Sequence, residues 1–331
     1  FYNNVSGWMM NYFFKTATGK FEGLDTESVN AEFGNMLGDP VWQTIFMAAA
    51  VIIGIAVCML GVQKGLERVT KVMMVALLVL MVVITINSVF LEGASEGLKF
   101  YLVPNFDGMG AKDVFNIIVG AMSQAFFSLS LGMGIMVSYG SYAGKEINVG
   151  RSIGFICLFD TMVALLAGLL IFPSAFHFDP NIDTTSLNGM TLMFEILPKI
   201  FASLGGFGKA ISLFFFAMVC IAALTSVISL LEVVTQFVIQ KFKIKRKIAI
   251  STVAVICFAL SIPIGISLGK AINKDYSMML FGQNYLDFLD IISNVVLMPI
   301  GALGACLIVG YSLSNAKNKD ILACPNANKV L

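Results

Sequence analysis

The sequence predicts an all-α polytopic membrane protein, and three observations support that fold class. Hydrophobic residues make up 58% and charged residues 12% of the 331-residue chain, whereas soluble domains carry about 25% charged residues. Apolar stretches of roughly 20 residues, the length that a helix needs to cross a bilayer core of about 30 Å, recur along the chain. The alternation of apolar and polar residues that is typical of a membrane β-barrel is not found in the sequence.

Eight apolar stretches predict eight membrane helices. Their predicted bounds, in chain order, are 1–17, 41–61, 69–91, 114–142, 152–172, 210–240, 248–268 and 288–312. Residues 313–331 are polar and are predicted to form a tail. Five of the six cysteines lie within these stretches and none has metal or disulfide spacing, so we interpret them as packing residues.

The charge of the loops predicts the orientation of the helices. Loops on one side, together with the tail, carry 13 basic and 3 acidic residues. The longer connections on the other side and their flanking helix ends carry 8 basic and 15 acidic residues. These connections are 18–40, 92–113, 173–209 and 269–287. Basic loops are retained in the cytoplasm, so we predict a multi-pass protein of the cell inner (plasma) membrane with these connections outside and a cytoplasmic tail. His177, the only histidine, is predicted in an outer loop.

The fourth stretch contains the sequence least like a regular membrane helix. Residues 126–134 read Phe-Phe-Ser-Leu-Ser-Leu-Gly-Met-Gly, with two hydroxyls and two glycines. An unpaired backbone amide or carbonyl is costly in hydrocarbon, so such a sequence survives at membrane depth only where the freed groups face protein, water or a bound solute. We therefore predict a break in this helix and a ligand-binding site at the break.

Other polar residues lie in apolar helices, and each has an alternative structural interpretation. A charged side chain such as that of Asp160 costs free energy at membrane depth, and this favours a role for Asp160 as a cation ligand. The alternative is a structural carboxyl that is only hydrogen-bonded. Thr225 and Ser226 place two adjacent hydroxyls in another helix, where bonding to the carbonyl four residues back is common. Glu232 lies near the basic end of the same helix, can reach a lysine or solvent, and is given no site role.

In their order along the chain, these segments resemble the neurotransmitter:sodium symporter family, in its prokaryotic amino-acid transporter branch. Residues 1–8 are similar to the family's third helix, with its Tyr followed by Gly-Trp, and residues 65–74 to the start of the fifth helix. Residues 124–142 are similar to the unwound sixth helix. Asp160 falls at the seventh-helix sodium position, residues 222–226 at the eighth-helix sodium site and residues 287–290 at the outer end of the tenth helix.

The resemblance implies a LeuT-type inverted-repeat helix bundle with helices three to ten present. Residues 1–91 would be the remnant of the first repeat (helices three to five), and residues 114–312 the second repeat (helices six to ten). The chain would be truncated at its N-terminus and lack the first helix, which partners the sixth. These 331 residues alone are therefore expected to hold half of the site and not to transport.

The resemblance also implies roles for individual residues. The metal (sodium) ligands would be Ser128, Asp160, the Ala222 carbonyl, Thr225 and Ser226. The substrate-binding residues would be Tyr2, Phe127, Ser130, Gly132, Met133, Ser226 and Leu230. Asp290 would serve the outer gate. Family members usually carry a proline ten residues after the glycine that opens the fifth helix, where this chain has Val75, so unwinding of that helix is open.

The function implied is sodium-coupled symport of a hydrophobic or neutral amino acid by alternating access. The chain would not be an enzyme and would need no cofactor beyond sodium as a coupling ion. Its partners would be the amino-acid substrate, sodium and the lipid bilayer, with no nucleic acid. From the residues alone, an ion channel or receptor-like membrane scaffold is an equal alternative, in which the glycines serve close helix packing. An inactive truncated transporter product is a third alternative.

Overall fold

The computed structural model describes residues 1–21, 26–60, 63–106, 108–142, 148–180, 182, 189–272, 279–280 and 283–312. The predicted tail lies outside these residues. The first helices are α1 (Tyr2–Ala17), α2 (Thr26–Gly38), α3 (Pro40–Leu60), α4 (Gln63–Val89), α5 (Ala94–Leu102), α6 (Ala111–Ser128) and α7 (Ile135–Tyr142). The next are α8 (Val149–Phe178), α9 (Gly189–Thr191), α10 (Leu197–Ser203), α11 (Gly206–Phe242) and α12 (Arg246–Ile272). Strands β1 (Met279–Leu280) and β2 (Gln283–Asn284) pair antiparallel, and helices α13 (Tyr285–Asp290) and α14 (Met298–Leu307) follow. Three π-helical segments are Leu192–Ile196, Ile291–Leu297 and Ile308–Ser312.

Each of the eight apolar stretches forms helix, which confirms the predicted fold class. Among the described residues, six helical runs are long and apolar enough to cross a membrane. They are Pro40–Met59, Thr70–Val89, Val149–Phe178, Gly206–Phe242, Arg246–Gly269 and Tyr285–Tyr311. The first stretch forms α1, a helix of 16 residues. The fourth is divided between α6 and α7.

The predicted connections contain more structure than their composition suggested. Helices α2 and α5 lie within 18–40 and 92–113, and the segment before α11 contains α9, a π-helical segment and α10. The prediction that 173–209 is a loop from its first residue is wrong, because α8 continues through Pro173 to Phe178. His177 therefore lies in the last turn of a helix, with Nδ1 2.8 Å from the Glu92 carbonyl oxygen.

The chain divides into two compact units. The first consists of residues 1–104 and 166–286. Its centre is α1, which packs against α3 and α11, while α12 packs against α3 and α11 in turn. Gly7 permits the close approach of α1 to α3, since a Cβ at this position would lie 2.8 Å from the Met47 amide nitrogen. Polar contacts fix the orientation of α1: Trp8 Nε1 donates to Gln43 Oε1 at 3.0 Å, and Tyr12 Oη donates to the Phe194 carbonyl at 2.8 Å.

The second unit consists of residues 105–165 and 287–331. In it α6 packs against the π-helical segment Ile291–Leu297 and against α14. This unit contains the break between α6 and α7 as well as Asp160 on α8. The predicted site residues therefore fall into two groups, one in each unit.

Candidate functional site

The predicted break is found between Ser128, the last residue of α6, and Ile135, the first residue of α7. Helix α6 ends in a Schellman arrangement, in which the Leu131 amide donates to the Phe126 carbonyl at 2.8 Å and the Ser130 amide to the Phe127 carbonyl at 3.1 Å. This motif requires a left-handed residue, and Ser130 occupies that position with φ of 54°. A non-glycine residue rarely adopts this conformation, and such residues concentrate at functional sites.

Beyond the Schellman arrangement the backbone stays irregular. Gly132 and Gly134 also have positive φ, 76° and 80°. The amides of Gly132, Met133 and Gly134 donate no backbone hydrogen bond within the described part of the chain. These three groups are the freed donors that the sequence predicted at the break, and they are available to a carboxylate or another acceptor.

Gly132 packs directly on the chain where α14 begins. A Cβ at Gly132 would overlap the Met298 carbonyl oxygen, and a Cβ at Gly301 would lie 2.6 Å from the Gly132 carbonyl oxygen. Both glycines are therefore required by close backbone approach. This contact holds the irregular segment against a helix 166 residues away in sequence.

Asp160 and Ser128 are brought together beside this break. The Ser128 hydroxyl donates to Asp160 Oδ2 at 2.8 Å. Among the described side chains no cation pairs with Asp160, so a hydroxyl is the only group seen to stabilise a carboxylate in an otherwise apolar helix segment. We call Ser128–Gly134 together with Asp160 the break site.

The second group of predicted ligands lies on one turn of α11 in the first unit. The Thr225 hydroxyl donates to the Ala222 carbonyl at 2.7 Å, and the Ser226 hydroxyl lies 3.4 Å from the same oxygen. The alternative interpretation of these hydroxyls, bonding to the preceding turn, is thus what the structure contains. We call Ala222, Thr225 and Ser226 the hydroxyl cluster.

Tyr2 packs against residues that follow the hydroxyl cluster in sequence. It is half-buried and packs against a core group that includes Val227 and Leu231, the residues that follow Ser226 and Leu230 in sequence. Leu230 is also half-buried. In the second unit Phe127, Ser130 and Met133 are half-buried, whereas Gly132 is exposed.

Two polar contacts were not predicted from the sequence. Asn294, in the π-helical segment after α13, donates from Nδ2 to Asp290 Oδ1 at 2.6 Å, and the four-residue spacing on a helix was the available signal. Glu232 accepts a bidentate contact from Arg246, at 3.0 Å and 2.7 Å, which joins α11 to the start of α12. Glu232 was predicted to reach a lysine or solvent, and the structure pairs it with an arginine instead. Within the described residues no cluster of three or more His, Cys, Asp or Glu side chains could hold a metal ion.

The chain is similar in sequence to known proteins. A model of the sodium:neurotransmitter symporter family matches residues 13–303. An uncharacterized sodium-dependent transporter of Bacillus subtilis is 37% identical over 323 residues, which are 96% of this chain and 67% of that protein. One of Haemophilus influenzae is 31% identical over 97% of this chain and 68% of its own length. This chain thus spans about two thirds of the length of these relatives.

A solved structure is also similar. MhsT in complex with L-phenylalanine superposes with a TM-score of 0.89 at 32% sequence identity, covering 99% of this chain and 72% of that one. This likeness agrees with the predicted LeuT-type fold.

Proposed function

The chain belongs to the sodium:neurotransmitter symporter family, and we propose that it couples the entry of a hydrophobic or neutral amino acid to sodium. Proteins of this family are transporters that use sodium as the coupling ion, and the protein is a multi-pass membrane protein. The observation that carries the finer proposal is the Ser128 to Asp160 contact of 2.8 Å beside a break whose amides at 132–134 donate no backbone hydrogen bond within the described residues. The loop charges support placement in the cell inner (plasma) membrane.

At the break site, sodium is proposed to bind between the Ser128 hydroxyl and the Asp160 carboxylate. A carboxylate and a hydroxyl are hard oxygen ligands suited to a hard cation. The substrate carboxylate, held by the free amides of the break, would add a further ligand. Sodium and substrate would then stabilise each other, and the enhancement of affinity must be equal in both directions.

A second sodium is proposed at the hydroxyl cluster. Rotation of the Thr225 and Ser226 hydroxyls away from the Ala222 carbonyl would expose three oxygens on one turn of α11 without moving the backbone. These three ligands carry no net charge. Sodium would therefore be held there by the geometry of neutral oxygens rather than by a buried negative charge.

The substrate is proposed to be an apolar amino acid of medium to large size. Ser130 is proposed to meet its charged groups, while Phe127 and Met133 would contact its side chain. Met133 lies between two glycines of the break, and a flexible thioether repacks around several apolar shapes. MhsT, the similar structure, holds L-phenylalanine, which supports testing this amino acid first. Asp290, oriented by Asn294, is proposed to act at the outer gate.

Uptake of labelled L-phenylalanine into vesicles containing the full-length gene product tests this function. We expect uptake with an inward sodium gradient, loss of uptake when choline replaces sodium, and competition by leucine but not by lysine or glutamate. Sodium flux that is independent of amino acids would indicate a channel instead. Absence of both sodium flux and sodium-stimulated amino-acid binding would favour a scaffold.

A further inference from the structure

A cavity of about 520 Å³ lies in the first unit, away from the residues assigned above. Its walls are the last turns of α1, the second half of α2 and the first turns of α3. This volume falls within the roughly 300–1,000 Å³ of small-molecule sites. The charge of the connection 18–40 predicts that this end of α1 and α3 lies at the outer membrane surface.

The cavity presents a cation that is only loosely held. Lys15 is tied to Glu32, with Nζ 2.7 Å from Oε2, whereas Lys20 Nζ lies 3.6 Å from Oε1 and its side chain is 59% exposed. Burial raises the pKa of Glu32, but hydrogen bonding and charge from Lys15, with the charge of Lys20, outweigh burial and lower it below the ordinary value. Lys15 and Glu32 are therefore an ionised pair, and Lys20 is left able to meet an anionic group.

The same cavity has two acceptors whose hydrogen-bonding capacity is not met. Asn11 lines the cavity and is 6% exposed, and its Oδ1 is buried with no hydrogen-bond partner among the described residues. A buried unsatisfied carbonyl is unfavourable, so an N–H donor that reaches this oxygen would stabilise the site. Asp39 Oδ1 caps α3 by accepting from the amides of Val41 and Trp42 at 3.0 and 3.1 Å, and no contact to Oδ2 is seen within the described residues. Both groups suit a ligand that donates N–H bonds.

The rim of the cavity is aromatic and continues onto an apolar helix face. The Phe14 and Trp42 rings each lie 6.0 Å from the Phe46 ring, and both are more than half exposed. From Trp42 an exposed face runs along α3 through Ile45 and Ile52 at helical spacing. Tryptophan at a helix end is typical of the membrane interface, and aromatic faces attract ammonium groups.

We propose that this cavity binds the headgroup of a zwitterionic phospholipid that carries a primary ammonium. The ammonium would donate to Asn11 and Asp39, the phosphate would meet Lys20, and the acyl chains would lie along the exposed face of α3. The apolar face favours a lipid over a free zwitterion. The need for N–H donors favours an ethanolamine over a choline headgroup, and the need for an ammonium disfavours a glycerol headgroup. This site is independent of the proposed transport function.

Trp42 provides an internal probe, since the other tryptophan of the chain, Trp8, is 1% exposed. The protein is reconstituted in phosphatidylcholine with brominated acyl chains, which quench tryptophan, and unbrominated lipids are titrated in. Subtracting a Trp42→Phe variant isolates the Trp42 signal. We expect phosphatidylethanolamine to relieve quenching at about one fifth of the mole fraction that phosphatidylcholine or phosphatidylglycerol requires, as expected for an added charge-assisted hydrogen bond.

Three variants and one soluble probe decide the outcome. Asn11→Leu removes an acceptor of the ammonium and should abolish the preference. Lys20→Gln, at the exposed side chain that meets the phosphate shared by all three lipids, and Lys99→Gln, at an exposed lysine on α5 outside the cavity, should both retain it. Equal competition by the three lipids, or a preference that survives Asn11→Leu, would overturn the proposal. Relief of quenching by soluble glycerophosphoethanolamine at a comparable concentration would also overturn it, in favour of a free zwitterion site.

Discussion

The break site interrupts its helix, whereas the hydroxyl cluster lies on a helix that runs without interruption from Gly206 to Phe242. Within the described residues, three successive amides of the break site have no backbone partner, and three residues, Ser130, Gly132 and Gly134, have positive φ. At the hydroxyl cluster each hydroxyl lies within hydrogen-bonding distance of the Ala222 carbonyl. One region is thus incomplete without a ligand, and the other is satisfied without one.

The two regions also differ in charge. Asp160 is ionisable and lies in an apolar helix segment, where a charge is costly unless it is paired. The hydroxyl cluster contains only neutral oxygens. We therefore expect the break site to set the strength of the coupling between ion and substrate, and the hydroxyl cluster to adjust only the affinity for the ion. The variants below test this difference, from the largest expected effect to the smallest.

The largest effect is expected for Gly132→Ala. The new Cβ would overlap the Met298 carbonyl at a residue with φ of 76°, so left-handed strain and overpacking together should cost about 2–4 kcal/mol. Thermal unfolding in detergent measures this loss, and substrate binding should fall with it. Gly120→Ala on α6, where no atom lies within 4 Å of the added Cβ, is the matched control and should be neutral or stabilising by about 0.5–1 kcal/mol. Equal effects of the two variants would refute the close contact.

Asp160→Ala should remove most of the mutual enhancement between sodium and substrate, typically about 1–3 kcal/mol for linked sites. Asp160→Asn keeps an oxygen and should lose less. Sodium titrations of substrate affinity at several pH values measure the effect. If Asp160 instead is protonated and only accepts the Ser128 hydroxyl, raising the pH rather than sodium will alter binding. A sodium dependence that is the same in the parent and in Asp160→Ala would remove Asp160 from the ion site.

The location of the break could be predicted from sequence, but its geometry could not. Two hydroxyls and two glycines within residues 126–134 marked the position. The Schellman arrangement at its start has Ser130 where glycine is usual, so propensity gave no signal. The contact of Gly132 with Met298 joins segments far apart in sequence, and no local pattern encodes it. Ser128 and Asp160 were paired through family resemblance rather than through spacing.

Tertiary packing also explains why one helix boundary was predicted wrongly. The connection 173–209 was predicted to begin at Pro173, and proline lacks an amide donor and crowds the preceding turn of a helix. In the structure Pro173 is buried, and a Cβ at Gly97 of α5 would lie 2.7 Å from its Cα. Burial against α5 therefore stabilises a helix that contains a proline. Helix α4, which has Val75 where the family usually carries proline, runs without interruption from Gln63 to Val89.

Met133→Phe tests whether the break site also determines selectivity. A larger ring between two glycines should disfavour the bulkiest substrates relative to small aliphatic ones by about 1–3 kcal/mol, the range for overpacking. Competition of a panel of amino acids against labelled substrate measures the ranking. Leu230→Phe makes the same kind of change on α11, an uninterrupted helix of the first unit, and serves as the comparison. A ranking that Met133→Phe leaves unchanged would remove Met133 from the pocket.

The smallest effect is expected for Thr225→Val. Within the described residues the Thr225 hydroxyl bonds to its own helix, and threonine and valine have similar helix propensities, so the free energy of unfolding should change by no more than about 0.5 kcal/mol. Sodium affinity should fall by about three- to tenfold, because one of three neutral ligands is lost. The mutual enhancement between sodium and substrate should persist, since Asp160 is intact. Thr44→Val on α3 is the matched control, because Thr44 also bonds to its own helix, at 2.7 Å from the Pro40 carbonyl, and should leave sodium affinity unchanged. If Thr225→Val abolished the enhancement as completely as Asp160→Ala, charge would not be the property that separates the two regions, and the coupling would have to be assigned to both.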